Sequence, residues 1–70
     1  MAESIYKIIE LVGTSPNSWE EAVKNVVAEA SKTLRDLRIA EISKLDVKIE
    51  DGKVTAFRAR VLLSFKYETE

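Results

Sequence analysis

The last part of the chain is a long alternating run, Val54 to Tyr67, and this run sets the scale of the fold. In an extended strand, successive side chains point to opposite faces of the sheet. One face carries Thr55, Phe57, Ala59, Val61, Leu63, Phe65 and Tyr67. The other carries Ala56, Arg58, Arg60, Leu62, Ser64 and Lys66. We expect the first, more apolar face to pack on a helix.

Two further extended runs accompany this strand. One follows Leu37 and continues through Ile49, and the Asp51-Gly52 pair between it and the last run is a strong β-hairpin signal. The other, Ser4 to Val12, alternates with fairly apolar residues on both sides. These runs predict three strands, the last two antiparallel.

A helix is predicted between the first and second strands. The segment Gly13 to Ser18 has turn chemistry, and Ser18 with Glu21 forms a capping-box signature, although the Ser15-Pro16 pair is a competing helix start. Apolar residues then recur at helical spacing at Trp19, Ala22, Val23, Val26, Val27, Ala30 and Leu34. The sequence therefore predicts an α+β fold of order β-α-β-β, as one domain over residues 1–70.

The lengths of these elements predict self-assembly. A helix of about 19 residues spans roughly 28 Å, whereas a strand of about 14 residues spans roughly 46 Å, so the helix cannot cover the sheet. A chain of 70 residues hides only about 60% of its surface on folding. Since it has no Cys and no His, disulfides are excluded and zinc-type sites lose their usual ligands. Other copies of the chain are the expected cover.

Composition also excludes several functions. With a net charge of −1, the chain lacks the excess positive charge that favours binding to nucleic acid or to an anionic membrane surface. The N-terminus lacks the pattern of a signal peptide and no apolar run approaches a membrane span, so we expect a cytoplasmic protein. Without His or Cys there is no imidazole base and no thiolate nucleophile. The carboxylate pairs Glu20-Glu21 and Glu50-Asp51 lie at a predicted helix start and hairpin tip, where structural roles explain them. We expect no enzyme.

Two arginines on the face away from the helix are the least ordinary feature. Arg58 and Arg60 alternate with aliphatic residues, and in an assembly their guanidinium groups would need anionic partners. Glu10 and Glu41 are candidates for an inter-subunit salt-bridge network. A dedicated phosphate or flavin site is the alternative. Trp19 is most simply an anchor of the core or of an interface.

Four segments of the sequence together resemble the dodecin family. They are YKIIELVGTSPNSWEEAV, ASKTLRDLR, IEDGKV and SFKYE, and the resemblance spans essentially the whole chain. It implies a β-α-β-β protomer in which a three-stranded antiparallel sheet partly wraps one amphipathic helix. It also implies assembly into a hollow homododecamer of cubic symmetry, in agreement with the argument from element lengths.

The resemblance implies a flavin site whose defining contacts are replaced here. Dodecins hold riboflavin or FMN in pairs near two-fold axes, with the ring stacked on a Trp and its edge bonded by a Gln. Ile39 stands at the position of the Trp and Arg58 at that of the Gln. Lys66 matches a basic residue that meets the FMN phosphate in some members, whereas Asp46 replaces a second basic residue.

Three readings of the function remain. The first is a non-enzymatic, homododecameric ligand-binding shell in which flavin binding is weak or lost. The second is a flavin-storage dodecin with an altered site. The third is a calcium-binding dodecin, because the aliphatic Ile39 and the Phe57-Arg58 pair look like the calcium dodecin branch of the family. No Ca²⁺ ligands are assigned.

Overall fold

The computed structural model describes residues 5–66 as three strands and one helix. The elements are β1 (Tyr6–Ser15), α1 (Trp19–Ala30), β2 (Leu37–Glu50) and β3 (Lys53–Lys66). β3 is the central strand and pairs antiparallel with both neighbours, so the sheet order is β1-β3-β2. The predicted β-α-β-β order and antiparallel sheet are confirmed. Ser4 and Tyr67, which we assigned to the first and last strands, lie outside the described residues.

The core lies between α1 and the central part of β3. Three helix residues meet three alternate strand residues, which are Ala22, Val26 and Ala30 against Ala59, Val61 and Leu63. The predicted helix-facing side of β3 is thus confirmed. The sheet is much longer than this core, because the described chain extends over 56 × 20 × 14 Å. No helix among residues 5–66 is long and apolar enough to cross a membrane.

The helix is shorter than the sequence pattern predicts. It ends at Ala30 after 12 residues rather than about 19, with Ser31 as its C-cap. The hydroxyls of Ser31 and Thr33 donate to carbonyl oxygens three residues back, a local bonding pattern that competes with a regular helix. The N–H of Leu34 still donates to the Ala30 carbonyl oxygen at 2.9 Å. Leu34 therefore remains against the core, which explains why the apolar periodicity outlasts the helix.

β1 is longer than predicted, because Gly13 to Ser15 continue the strand instead of opening a turn. Gly13 serves close packing. A Cβ atom at this position would collide with the side chain of Val26 and the carbonyl oxygen of Ala22. The absence of a side chain at Gly13 lets α1 lie directly on the strand.

The helix begins as the sequence predicts, with Ser18 as N-cap. Its hydroxyl accepts a hydrogen bond from the Glu21 N–H at 3.0 Å. The reciprocal half of a capping box is absent, because the Glu21 carboxylate accepts instead from the Ser15 hydroxyl and the Asn17 amide. These two hydrogen bonds lower the pKa of Glu21. Ser15, the competing candidate for the helix start, is buried and organises this turn.

The predicted hairpin is also confirmed. Asp51 and Gly52 form a two-residue loop with φ values of 53° and 74°, the left-handed conformations that a type I′ turn requires. The β2–β3 register then shifts three times, once close to the hairpin loop, once near the middle of β2 and once at its start, where Arg38 has no partner. The shift close to the loop leaves Thr55 without a partner, and the shift near the middle leaves Ser43 without one. Both residues use their hydroxyls to bond a carbonyl oxygen of the opposite strand.

Candidate functional site

Arg58 is held by a bidentate ion pair with Asp46. The two residues are partners across β2 and β3, on the face away from the helix. Arg58 Nε donates to Asp46 Oδ1 at 2.7 Å and Arg58 Nη2 donates to Asp46 Oδ2 at 2.9 Å. Parallel hydrogen bonds of this kind fix a guanidinium group in both position and orientation. Two of its N–H donors are therefore engaged by the protein.

This ion pair depends on the one register shift that lies between the hairpin loop and Asp46. If the pairing set by Asp51-Gly52 continued unbroken, Leu45 would lie opposite Arg58. The extra residue Thr55 moves the register by one, so that Asp46 becomes the partner. The shift also turns Leu45 to the helix side.

The hydrogen bonds also change the acidity of both groups. The Arg58 guanidinium lowers the pKa of the Asp46 carboxyl, chiefly by hydrogen bonding and also by its positive charge. Reciprocally, Asp46 raises the pKa of Arg58. Both side chains remain about half exposed, so solvent screens their attraction. The carboxylate and guanidinium both stay charged at neutral pH.

The backbone of Asp46 also makes a contact, with a side chain on the helix side of the sheet. Its carbonyl oxygen accepts a hydrogen bond from Trp19 Nε1 at 3.0 Å. The Trp19 ring also meets Phe57 edge to face, with centroids 5.1 Å apart. Trp19 is 38% exposed, so it packs on Phe57 within the protomer without being buried, and its predicted role as an interface anchor stays a prediction. It shares an apolar groove of about 480 Å³ between α1 and β2 with Val23, Ile42 and Leu45.

Ile39 lies at the other end of the same sheet face as Arg58. It pairs with Ser64 of β3 and its side chain is 63% exposed. Ile8 of β1 pairs with Ser64 from the other side and is 58% exposed. The small Ser64 thus lies between two exposed aliphatic side chains. The sequence indicated that both faces of the first strand are fairly apolar, and Ile8 lies on one of them. The alternation could not show that Ile8 pairs with Ser64.

The three predicted site residues do not meet within one protomer. Lys66 is two residues from Ser64 on β3 and faces the same side, so it lies near Ile39. Arg58 is six residues from Ser64, which places it roughly 20 Å away along the strand. A ligand much shorter than this distance cannot contact both Ile39 and Arg58 of one protomer.

The predicted inter-subunit network of Arg58 and Arg60 with Glu10 and Glu41 stays a prediction, but both arginines have carboxylate partners within one protomer. Arg60 Nη1 lies 3.9 Å from Glu10 Oε2, a long ion pair. Arg58 takes Asp46 rather than Glu41 as its partner. Sequence reasoning missed Asp46 in this role because its position opposite Arg58 depends on the register shift.

A metal site is not formed within one protomer in the described part of the chain. Among residues 5–66, no three His, Cys, Asp or Glu side chains are grouped so as to hold a metal ion. At the hairpin end, Glu50 instead pairs with Lys48 at 3.4 Å.

Comparison with known proteins agrees with this architecture. The dodecin family model matches residues 5–68. Calcium dodecin from Mycobacterium tuberculosis is 39% identical over 64 residues, which cover 90% of this chain and 89% of that protein. The dodecin structure from Streptomyces coelicolor superposes with a TM-score of 0.91 at 38% identity and full coverage of both chains. The crystal structure of the calcium-chelating calcium dodecin from M. tuberculosis, which has a novel calcium-binding site, superposes with a TM-score of 0.82. The two sequences are 35% identical, and 96% of each chain is covered. The chain belongs to the dodecin family.

Proposed function

We propose that this protein is a non-enzymatic, homododecameric ligand-binding shell in which flavin binding is weak or lost. The observation that carries the proposal is Ile39, an exposed aliphatic side chain at the family's flavin-stacking position. An aromatic face stacked on a flat ring contributes about 1 to 3 kcal/mol. Ile39 offers a smaller contact without that stacking.

The state of Arg58 supports the same conclusion. At the position of the family's ring-binding Gln, Arg58 has only N–H donors, and its Nε and Nη2 groups are engaged by Asp46. A Gln offers both a donor and an acceptor to a ring edge. Arg58 supplies no acceptor, so the complementary pair of hydrogen bonds that an amide makes is lost.

Residual binding of FMN is the alternative that Lys66 favours. Its ammonium group lies on the same face as Ile39 and is suited to a phosphate. Asp46 adds a negative charge on that face, although its ion pair with Arg58 offsets it. If any flavin binds, we expect FMN to bind more tightly than riboflavin.

Titration of riboflavin and FMN with the purified protein tests the proposal. Binding of the ring between subunits quenches flavin fluorescence. We expect no saturable quenching of either flavin below about 10 μM. A dissociation constant of this size corresponds to roughly 7 kcal/mol of binding free energy. Saturable quenching in the submicromolar range would overturn the proposal and support a flavin-storage function. Lys66→Ala serves as the control for a contribution from the phosphate.

Calcium binding is a second candidate, supported by the similarity to the calcium dodecin of M. tuberculosis. Because residues 5–66 contain no group of three acidic side chains, a site with three carboxylate ligands from this part of the chain would draw them from more than one copy. Calorimetric titration with Ca²⁺, together with the melting temperature with and without the ion, tests this function. Mg²⁺ is the matched control ion. The absence of both heat and a melting-temperature shift would remove the calcium function.

A further inference from the structure

Arg58 has a second hydrogen-bonding edge that Asp46 does not use. The carboxylate of Asp46 occupies the parallel N–H pair of Nε and Nη2, at 2.7 and 2.9 Å. The other parallel pair, one N–H on Nη1 and one on Nη2, makes no hydrogen bond with residues 5–66. Parallel N–H groups match a partner that has two adjacent acceptor atoms. Arg58 therefore offers a ligand only donors, on a guanidinium plane that the ion pair holds in place.

The charges around Arg58 favour a negatively charged ligand. The next row along β3, roughly 7 Å away on the same face, holds Arg60 opposite Lys44, and like charges at directly opposed positions destabilise a sheet. Arg60 reaches Glu10 only at 3.9 Å, and Lys44 makes no ion pair within residues 5–66. The carboxylates of Asp46 and Glu10 thus leave the three cations incompletely balanced.

We propose that Arg58 makes this site select planar ligands whose ring edge carries two adjacent acceptors and a negative charge. For flavins, the reduced anionic ring then binds more tightly than the oxidised ring. The inference rests on the proposed function, because it places Arg58 at the edge of a ring bound by the shell. It makes Arg58 the residue that determines which form of the ligand is held.

The two forms of a flavin differ at the edge that a pair of donors recognises. N1 and the C2 carbonyl oxygen are adjacent acceptors in both forms. Two-electron reduction with uptake of one proton at N5 places a negative charge on N1 and this oxygen. Hydrogen bonds to a charged acceptor are about twice as strong as those to a neutral one, so the free edge of Arg58 favours the reduced ring. An uncharged Gln at the same position lacks this preference.

Equilibrium dialysis of the wild-type protein against riboflavin tests the selectivity. One set of cells is kept oxidised, and a second is kept reduced by excess dithionite under anaerobic, mildly alkaline conditions in which the reduced ring is anionic. Flavin in each chamber is measured by absorbance after reoxidation in air. Riboflavin has no phosphate, so a contact between a phosphate and Lys66 does not contribute. We expect the reduced form to bind about tenfold more tightly than the oxidised form.

Variants separate the free edge of Arg58 from its charge. Arg58→Gln should bring the two forms within about twofold of each other, and Arg58→Lys, which keeps the charge without the parallel N–H pair, should lose most of the preference. The matched control is Arg60→Gln, which removes the same charge two residues along β3 and should keep most of it. Equal losses in Arg58→Gln and Arg60→Gln would overturn the role of the free edge. The wild-type comparison decides the selectivity even where a variant fails to assemble.

The inference and the proposed function fail separately. Equal binding of both forms, or binding of neither at about 1 mM riboflavin, would overturn the inference and leave the proposed shell intact. Submicromolar binding of oxidised riboflavin would overturn the proposed weakening of flavin binding. A further tenfold gain on reduction would in that case still support the role of Arg58.

Discussion

Replacing Ile39 by Trp is expected to raise the affinity for riboflavin. Ile39 is 63% exposed and lies opposite the small Ser64, so an indole ring at this position displaces no buried side chain. A stacking contact contributes about 1 to 3 kcal/mol, and 1.4 kcal/mol corresponds to a tenfold change. Each restored contact should therefore lower the dissociation constant by about 5- to 150-fold.

Quenching of riboflavin fluorescence measures this gain. Ile49→Trp is the matched control, because Ile49 is a β2 residue of similar exposure, 64%, far along the strand from Ile39. Ile39→Leu controls for a change of side-chain shape without an aromatic ring. We expect a gain for Ile39→Trp and none for either control.

A second variant identifies the barrier if the first shows no gain. Combining Ile39→Trp with Arg58→Gln restores both substituted positions and releases Asp46 from its ion pair. The reasoning from the family site is refuted if this double variant assembles like the wild type and still binds riboflavin no more tightly. A gain confined to the double variant would make Arg58 the decisive residue.

Three further changes test the fold. Gly13→Ala should lower the free energy of unfolding by about 1 to 3 kcal/mol in urea denaturation, because the new methyl group meets Val26; an unchanged midpoint would show that α1 moves freely. Ser18→Ala should cost about 0.5 to 2 kcal/mol through loss of the N-cap, and Ser18→Gly much less. Because the pKa of Asp46 is lowered, its ion pair with Arg58 stabilises the fold fully at pH values above the carboxyl's ordinary pKa of 3.8. This stabilisation is lost as the pH falls through the lowered pKa. Asp46→Asn should therefore flatten the fall in melting temperature below about pH 4, and an identical acid profile would contradict this role.

Much of the fold could be predicted because its signals are local. Asp51-Gly52 determines the hairpin, and the alternation of β3 identifies Ala59, Val61 and Leu63 as the helix-facing side. The end of α1 could not be predicted, because the bond from Leu34 to Ala30 maintains helical spacing beyond the last turn.

The candidate site was harder to predict because it depends on long-range register. Pairing of Asp46 with Arg58 requires the unpaired Thr55, and no local pattern specifies where a strand shifts by one residue. The distance between Ile39 and Arg58 has a similar origin. Their roughly 20 Å separation follows from how far apart their partners, Ser64 and Arg58 itself, lie along β3, and it appears only once the strands are paired.

The mass of the purified wild-type protein is the most direct test of the assembling shell. Size-exclusion chromatography with light scattering should give about twelve times the 7.9 kDa of one chain, or about 95 kDa. A mass near 8 kDa at micromolar concentration would contradict the account, because the proposed shell is built from many copies of the chain.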